Sequence, residues 1–213
     1  MSALTEPFSD LYTAALRGEL CHVVGEDEIA ALPVPAWSGQ ADRSDRALLA
    51  HCEGPTLDVG CGPGRMTEYL TRSGTPALGI DIVPEAVFQA RARGSAALLR
   101  DVFEPVPGEG RWSSVLLADG NIGIGGDPRR LLGRVAAVLA PHGRVVVDLA
   151  APGSGVETRR LRLRTKGAES RPFAWATVGV DLIGVLGAGA GLSVKELCHV
   201  EDRWFAVLVK EPR

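Results

Sequence analysis

Three alternating glycines, Gly60, Gly62 and Gly64, follow the apolar run Thr56-Leu57-Asp58-Val59 and lead into Thr67-Glu68-Tyr69-Leu70. The pattern reads as a strand, a tight loop and the start of a helix. Glycines so spaced let the backbone turn sharply and leave no Cβ in the way of a ligand, and the free N–H groups of the helix's first turn face the loop. Asp58 places a carboxylate at the strand end, which suits a ligand with a cationic or hydroxyl-rich part. A dinucleotide fingerprint spaces its glycines Gly-x-Gly-x-x-Gly to seat a pyrophosphate on the helix. Here the spacing is Gly-x-Gly-x-Gly and Arg65 follows, which disfavours an NAD-dependent oxidoreductase.

Two further acids end apolar runs. Asp81 closes Pro76-Ala77-Leu78-Gly79-Ile80, about 20 residues beyond the loop, the distance at which nucleoside-binding folds place an acid on the ribose hydroxyls. Asp101 follows Ala96-Ala97-Leu98-Leu99-Arg100, where it can accept from an adenine amino group while the Val102 N–H donates to the ring. A second flexible loop, from Asp119 through Asn121 to Asp127, is expected to face the same sheet edge and form the floor of the reaction site.

The elements that must position these groups alternate. Strands are expected near 55–59, 76–82, 96–103, 113–119 and 143–149, with helices at 44–51, after the glycine loop, at 84–91 and at 128–139. That order means a parallel sheet covered by helices on both faces. A helix over Trp175–Leu186 and an antiparallel pair, 192–200 with 204–209, complete the chain. Residues 1–44 read as an N-terminal helical cap over the domain 45–213, with a helix in Asp10–Leu20 and Tyr12, His22 and Trp37 available to a pocket or to packing. Thr158 to Lys166 alternates basic and apolar residues, a basic edge arm near 156–168 on which Arg160, Arg162 and Arg164 share one face. They either clamp an anionic substrate group or form a solvated edge, the second being the stronger reading.

With 213 residues the chain is long enough for one sizeable core, and a formal charge of −3 with a pI near 5.8 gives no basic field for nucleic acid or an anionic membrane. The apolar stretch from Phe173 to Leu192 carries Asp181 at its centre, at a cost of about 2.5–3.5 kcal/mol in a bilayer, so a membrane span is not expected. Four scattered cysteines lack metal-ligand spacing, no metal is expected, and no secretory leader is read at the N-terminus; a cytoplasmic protein with reduced thiols follows.

The motif Asp58-Val59-Gly60-Cys61-Gly62-Pro63-Gly64, with Asp81 and Asp101 in order behind it, resembles the class I, S-adenosylmethionine-dependent methyltransferases. The resemblance covers about residues 45–210. It implies a seven-stranded, mainly parallel, doubly wound Rossmann-like sheet of order 3-2-1-4-5-7-6 and S-adenosylmethionine as methyl donor, with S-adenosylhomocysteine as product. By position it places Gly60, Gly62 and Gly64 around the methionyl part of the cofactor and Asp58 near its amino group. It further places Asp81 on the ribose, Ile82 against the adenine, Asp101 and Val102 at the adenine edge, and Asp119 with Gly120 near the sulfur. The Asn/Asp-Pro-Pro-Tyr/Phe signature of many amino-methyltransferases is missing from the Asp119 loop, which weakens that reading. The acceptor is expected to be a small molecule, anionic if the arginine clamp operates, with a place in secondary metabolism; His22 is the candidate general base and Asn121 the positioning group. The alternative is a protein that binds the cofactor as a sensor or scaffold without transferring methyl.

Overall fold

A computed structural model describes residues 4–26 and 28–211. In chain order the elements are β1 (Leu4–Glu6), α1 (Phe8–Leu16), β2 (His22–Val24), β3 (Ile29–Ala31), α2 (Val34–Ser38), α3 (Arg43–Leu49) and β4 (Thr56–Val59). They continue with α4 (Arg65–Arg72), β5 (Ala77–Asp81), α5 (Pro84–Ala92), β6 (Ala97–Leu99), β7 (Trp112–Leu117), α6 (Pro128–Val138) and β8 (Leu139–Leu149). The last are β9 (Val156–Arg164), β10 (Ala168–Ser170), β11 (Phe173–Val178), α7 (Ile183–Ala188), β12 (Leu192–Val200) and β13 (Arg203–Lys210).

The main sheet has seven strands in the order β12-β13-β8-β7-β4-β5-β6. Strands β4 to β8 run parallel, and β13 lies antiparallel between β8 and β12. Numbered along the sheet's own sequence, this is the expected 3-2-1-4-5-7-6. Successive residues of the central strands serve opposite faces, as the pleat requires. Val115, Leu117, Val145 and Val147 join Leu131, Leu132 and Val135 of α6 in one core, whereas Leu116, Val146 and Phe205 pack with Leu48 of α3 and Met66 and Leu70 of α4 in the other. Helix α3 starts on a reciprocal capping box in which Asp42 accepts from the Asp45 N–H at 2.8 Å and Asp45 accepts from the Asp42 N–H at 3.0 Å.

A second sheet, ordered β1-β10-β9-β2-β3 with β11 also on β9, stands over the carboxyl edge of the first. It corrects three expectations. The N-terminal segment contains the expected helix, α1, but also strands β1 to β3; β1 and β2 pair with residues 156–170 and β3 pairs with β2. The basic arm is therefore an interior strand, not an edge, because β9 pairs with β2, β10 and β11. Trp175–Val178, expected as the start of a helix, belongs to the strand β11, and helix α7 begins only at Ile183. Its register against Val156–Leu161 takes up the backbone groups that a helix would have satisfied locally.

Candidate active site

The two sheets enclose a cavity of about 760 Å³. Its floor is the carboxyl edge of the main sheet. β4 ends at Val59, and Gly60 then adopts φ +71°, a left-handed conformation that side chains rarely take. A Cβ there would also stand 2.8 Å from Nδ2 of Asn121, which donates to the carbonyls of Val59 and Gly60 at 2.8 and 3.0 Å. Asn121 lines the cavity, and its amide is spent on bracing the loop.

Asp81 sits at the end of β5, 9% exposed. Its two oxygens accept from the backbone N–H groups of Gly62 at 3.0 Å and Val83 at 2.9 Å, so the carboxylate ties the glycine loop to the next strand and still faces the cavity. Burial raises its pKa against those donors. Beside it Ile82, at 56% exposure, offers a bare apolar surface to the cavity. Farther along the edge Asp101 accepts from the Phe103 N–H with one oxygen, and the Val102 N–H has no partner among the described residues. Asp58 is fully buried; desolvation pushes its pKa up to about 7, opposed by a 2.6 Å hydrogen bond donated by Thr67.

Behind this floor lies an ion network that the sequence did not disclose. Arg65 donates to both oxygens of Asp119 at 2.6 and 2.7 Å and also pairs with Asp45. Arg203 reaches Asp45, Asp119 and, at 2.8 Å, Asp148. Asp45 is only 1% exposed, so its charge depends on both guanidinium groups. The five residues come from α3, the start of α4, the ends of β7 and β8 and the start of β13, and no local motif joins them. The signals that could have raised them were Arg65 closing the glycine motif and Asp148 ending a strand like its neighbours.

Of the residues expected at the site, Asp58, Gly60, Gly62, Asp81, Ile82, Asp101, Val102, Asp119 and Asn121 line the cavity. Gly64 and Gly120 do not. Gly64 instead caps α4, where a Cβ would lie 2.9 Å from Cα of Ala90. The Asp119 carboxylate is committed to Arg65 rather than aimed at a ligand's reacting atom. His22 is turned away from the cavity: it pairs with Arg164 on the outer face of the second sheet, while its neighbour Val23, opposite Leu163, faces in. Arg160, Arg162 and Arg164 share that outer face. Arg162 and Arg164 bind Glu169, so the three form a solvated surface and no clamp on the cavity, whose lining comes from Leu161 and Leu163.

The ceiling is aromatic. Tyr12 and Trp37 from the N-terminal segment, which are drawn into the cavity, join Phe8, Phe173 and Trp175. Outside the cavity, the ligating atoms of His51, Glu196 and Cys198 come within 4.8 Å of one another, a proximity no sequence spacing revealed.

A parallel sheet carrying a glycine loop and a row of acids at its carboxyl edge defines a Rossmann-like ligand-binding fold. Residues 56–143 match the family model described as a methyltransferase domain, and the strand order around them is that of a Rossmann-like sheet. It is 32% identical over 106 residues to malonyl-[acyl-carrier protein] O-methyltransferase of Salmonella typhimurium, covering 49% of this chain and 42% of that protein. It is 33% identical over 97 residues to 2-heptyl-1-hydroxyquinolin-4(1H)-one methyltransferase of Mycobacteroides abscessus, covering 44% and 39%. The chain thus spans about two-fifths of the length of these curated relatives. The fold is shared with a SAM-dependent methyltransferase from Bacteroides fragilis in complex with S-adenosyl-L-homocysteine, at a TM-score of 0.80, 20% identity and coverage of 100% of this chain and 98% of that one. It is also shared with the 1,6-didemethyltoxoflavin-N1-methyltransferase of Burkholderia thailandensis, at 0.62 and 18%, covering 89% and 95%. Among the described residues no helix is long and apolar enough to cross a membrane.

Proposed function

We propose that the protein transfers the methyl group of S-adenosylmethionine to a small-molecule acceptor and releases S-adenosylhomocysteine. The observation that carries this reading is Asp81, a buried carboxylate held by the glycine loop's own N–H and open to the cavity beside a bare Ile82. The site fits an adenosine. Asp81 would accept from the ribose hydroxyls, Ile82 would pack on the adenine, and Asp101 with the free Val102 N–H would read its edge. Gly60 and Gly62 would border the methionyl part, and Asp58 would face its ammonium directly or through a water. Asp119 would hold the neighbouring loop through its pairing with Arg65.

When bound, the cofactor supplies an electrophilic methyl group on a sulfonium. The chain's contribution is then alignment, since an in-line displacement that leaves a neutral sulfur needs its three atoms held in register above all. Two of the relatives are named for small ring compounds, 2-heptyl-1-hydroxyquinolin-4(1H)-one and 1,6-didemethyltoxoflavin, which supports a small molecule as substrate, whereas the malonyl group of the Salmonella relative's substrate is carried on a protein. The four cysteines, all free, support a reducing, cytoplasmic setting.

Calorimetry with S-adenosylhomocysteine tests the reading. The native chain should bind it, and Asp81→Ala should lower affinity by about a hundredfold or more, the loss of a charged hydrogen-bond acceptor to two hydroxyls. Unchanged affinity in that variant would overturn the assignment. Tight binding without turnover on a broad acceptor panel would instead favour the sensor or scaffold reading.

A further inference from the structure

We propose that the acceptor is a flat, largely apolar aromatic molecule whose nucleophilic oxygen arrives already deprotonated, and that Tyr12 positions that oxygen through its hydroxyl. This rests on the methyl-transfer reading above and names the substrate class of the same cavity.

Aromatic residues make up 5% of the chain, yet five of them meet in one wall. Trp37 lies 6.0 Å from Tyr12, Tyr12 stacks on Phe8 at 5.5 Å, Phe8 meets Phe173 edge-on at 4.8 Å, and Phe173 meets Trp175 at 6.4 Å. All five line the cavity while remaining only partly buried. Between them stand Val23, Leu32, Leu161 and Leu163, and this wall contributes no charged side chain to the cavity. Such a surface suits a ring system that can stack or meet ring edges, and it offers no charge to a polyanion and few hydrogen-bonding groups to a sugar or a peptide.

Besides the indole N–H groups of Trp37 and Trp175, its one polar tip is the Tyr12 hydroxyl. That group has no hydrogen-bond partner among the described residues, and it would lie 3.6 Å from a Cβ placed on Gly62. It therefore points at the glycine loop, beside the expected methionyl part of the donor. Burial and the nearby Asp81 hold its pKa well above that of a free phenol, so Tyr12 stays protonated and can donate.

Among the described residues no uncommitted base faces the same spot. Asp58 takes the Thr67 hydroxyl, Asp81 takes two backbone N–H groups, and Asp119 takes Arg65 with both oxygens. Asp101 and Glu104 follow β6, two strands away from the β4 loop over which Tyr12 hangs, and His22 is on the outer face. An ammonium group would have to lose its proton with no acceptor at hand and would approach the like charge of a sulfonium. An anionic oxygen avoids both costs. Its lone pair forms the new O–C bond, the C–S bond breaks with its electron pair kept on sulfur, and no proton is released.

The test uses the chain loaded with S-adenosylhomocysteine at about pH 7.5 and three probes: 4-nitro-1-naphthol, whose hydroxyl is ionised there, 1-naphthol, whose hydroxyl is not, and glucosamine. Calorimetry should show the nitronaphtholate bound about tenfold tighter than naphthol, one charge-assisted hydrogen bond's worth, and no heat with glucosamine. Trp175→Ala should weaken both naphthols about tenfold with S-adenosylhomocysteine affinity unchanged; should it fail to fold, Trp37→Ala serves in its place. Tyr12→Phe should keep the binding of naphthol and erase the preference for the ionised probe. Normal binding of S-adenosylhomocysteine with no naphthol binding, with naphthol affinity indifferent to the tryptophan variants, or with glucosamine bound instead would overturn the acceptor class and leave the cofactor reading standing. A preference that survives Tyr12→Phe would overturn the role of Tyr12. Failure to bind S-adenosylhomocysteine would sink the cofactor reading first.

Discussion

The side-chain amide of Asn121 donates to the Gly60 carbonyl at 3.0 Å, and the Cβ that Gly60 lacks would fall 2.8 Å from the same nitrogen. The brace and the glycine thus require each other. Gly60→Ala should displace Asn121 and also strain the backbone at φ +71°. Asn121→Ala should free the loop without strain, lowering S-adenosylhomocysteine affinity roughly tenfold, as for one or two neutral hydrogen bonds. Calorimetry on both variants checks this; equal affinity to the native chain in Asn121→Ala would remove the brace from the account.

Asp58 predicts an unusual pH dependence. Its folded pKa, about 7, lies above the ordinary 3.8, so the folded state holds a proton that the unfolded state has released. Its contribution to stability is therefore fully present below about pH 4 and is lost as pH rises through about 7. Asp81 and Asp148, also raised by burial, act in the same direction. Urea unfolding of Asp58→Asn should show a flatter loss of stability across that range, the difference from the native chain growing to on the order of a few kcal/mol at pH 8. A native chain whose stability rises over the same range would contradict the buried, protonated Asp58.

Arg203 joins three carboxylates from three elements. Arg203→Met removes the cation but leaves Asp45 and Asp148 buried, and it should cost about 3–5 kcal/mol. Arg203→Lys should recover little of this, because a single ammonium cannot match the planar fork's several donors. Asp45→Asn placed on the Met variant should restore part of the loss, an interaction visible in a double-mutant cycle by chemical denaturation.

Gly64 separates folding from binding. Alanine there meets Ala90 across the α4–α5 contact and must hold φ +90°. The variant should lose about 1–3 kcal/mol of stability, as overpacked sites do. Because Gly64 does not line the cavity, its folded fraction should bind S-adenosylhomocysteine with unchanged affinity, measurable well below the melting temperature.

The main sheet was legible because its strands are continuous apolar runs that end in acids, and a parallel strand buried on both faces needs little more. What escaped was non-local. Phe173–Val178 is helical or extended by composition alike, and only its ladder with Val156–Leu161 decides. His22 could be read as a pocket residue until the register of β2 against β9 assigned Val23 to the inner face. The ion network was invisible for the same reason, since Asp45 and Arg203 lie 158 residues apart. The donor half of the cavity is written in contiguous motifs, whereas its ceiling is assembled from pieces that meet only in space.

That assembly has a consequence for recombination. The second sheet draws on two stretches, residues 4–37 and 156–178, that flank the donor-binding strands β4 to β8 without interrupting them. A chimera that exchanges both stretches together would transplant the ceiling as one interlocked piece, while exchanging either alone would leave β9 without its ladder partner β2. Natural diversification of such a chain would be expected to proceed by paired changes at its two distant ends of the ceiling, with the strands between them passed on intact.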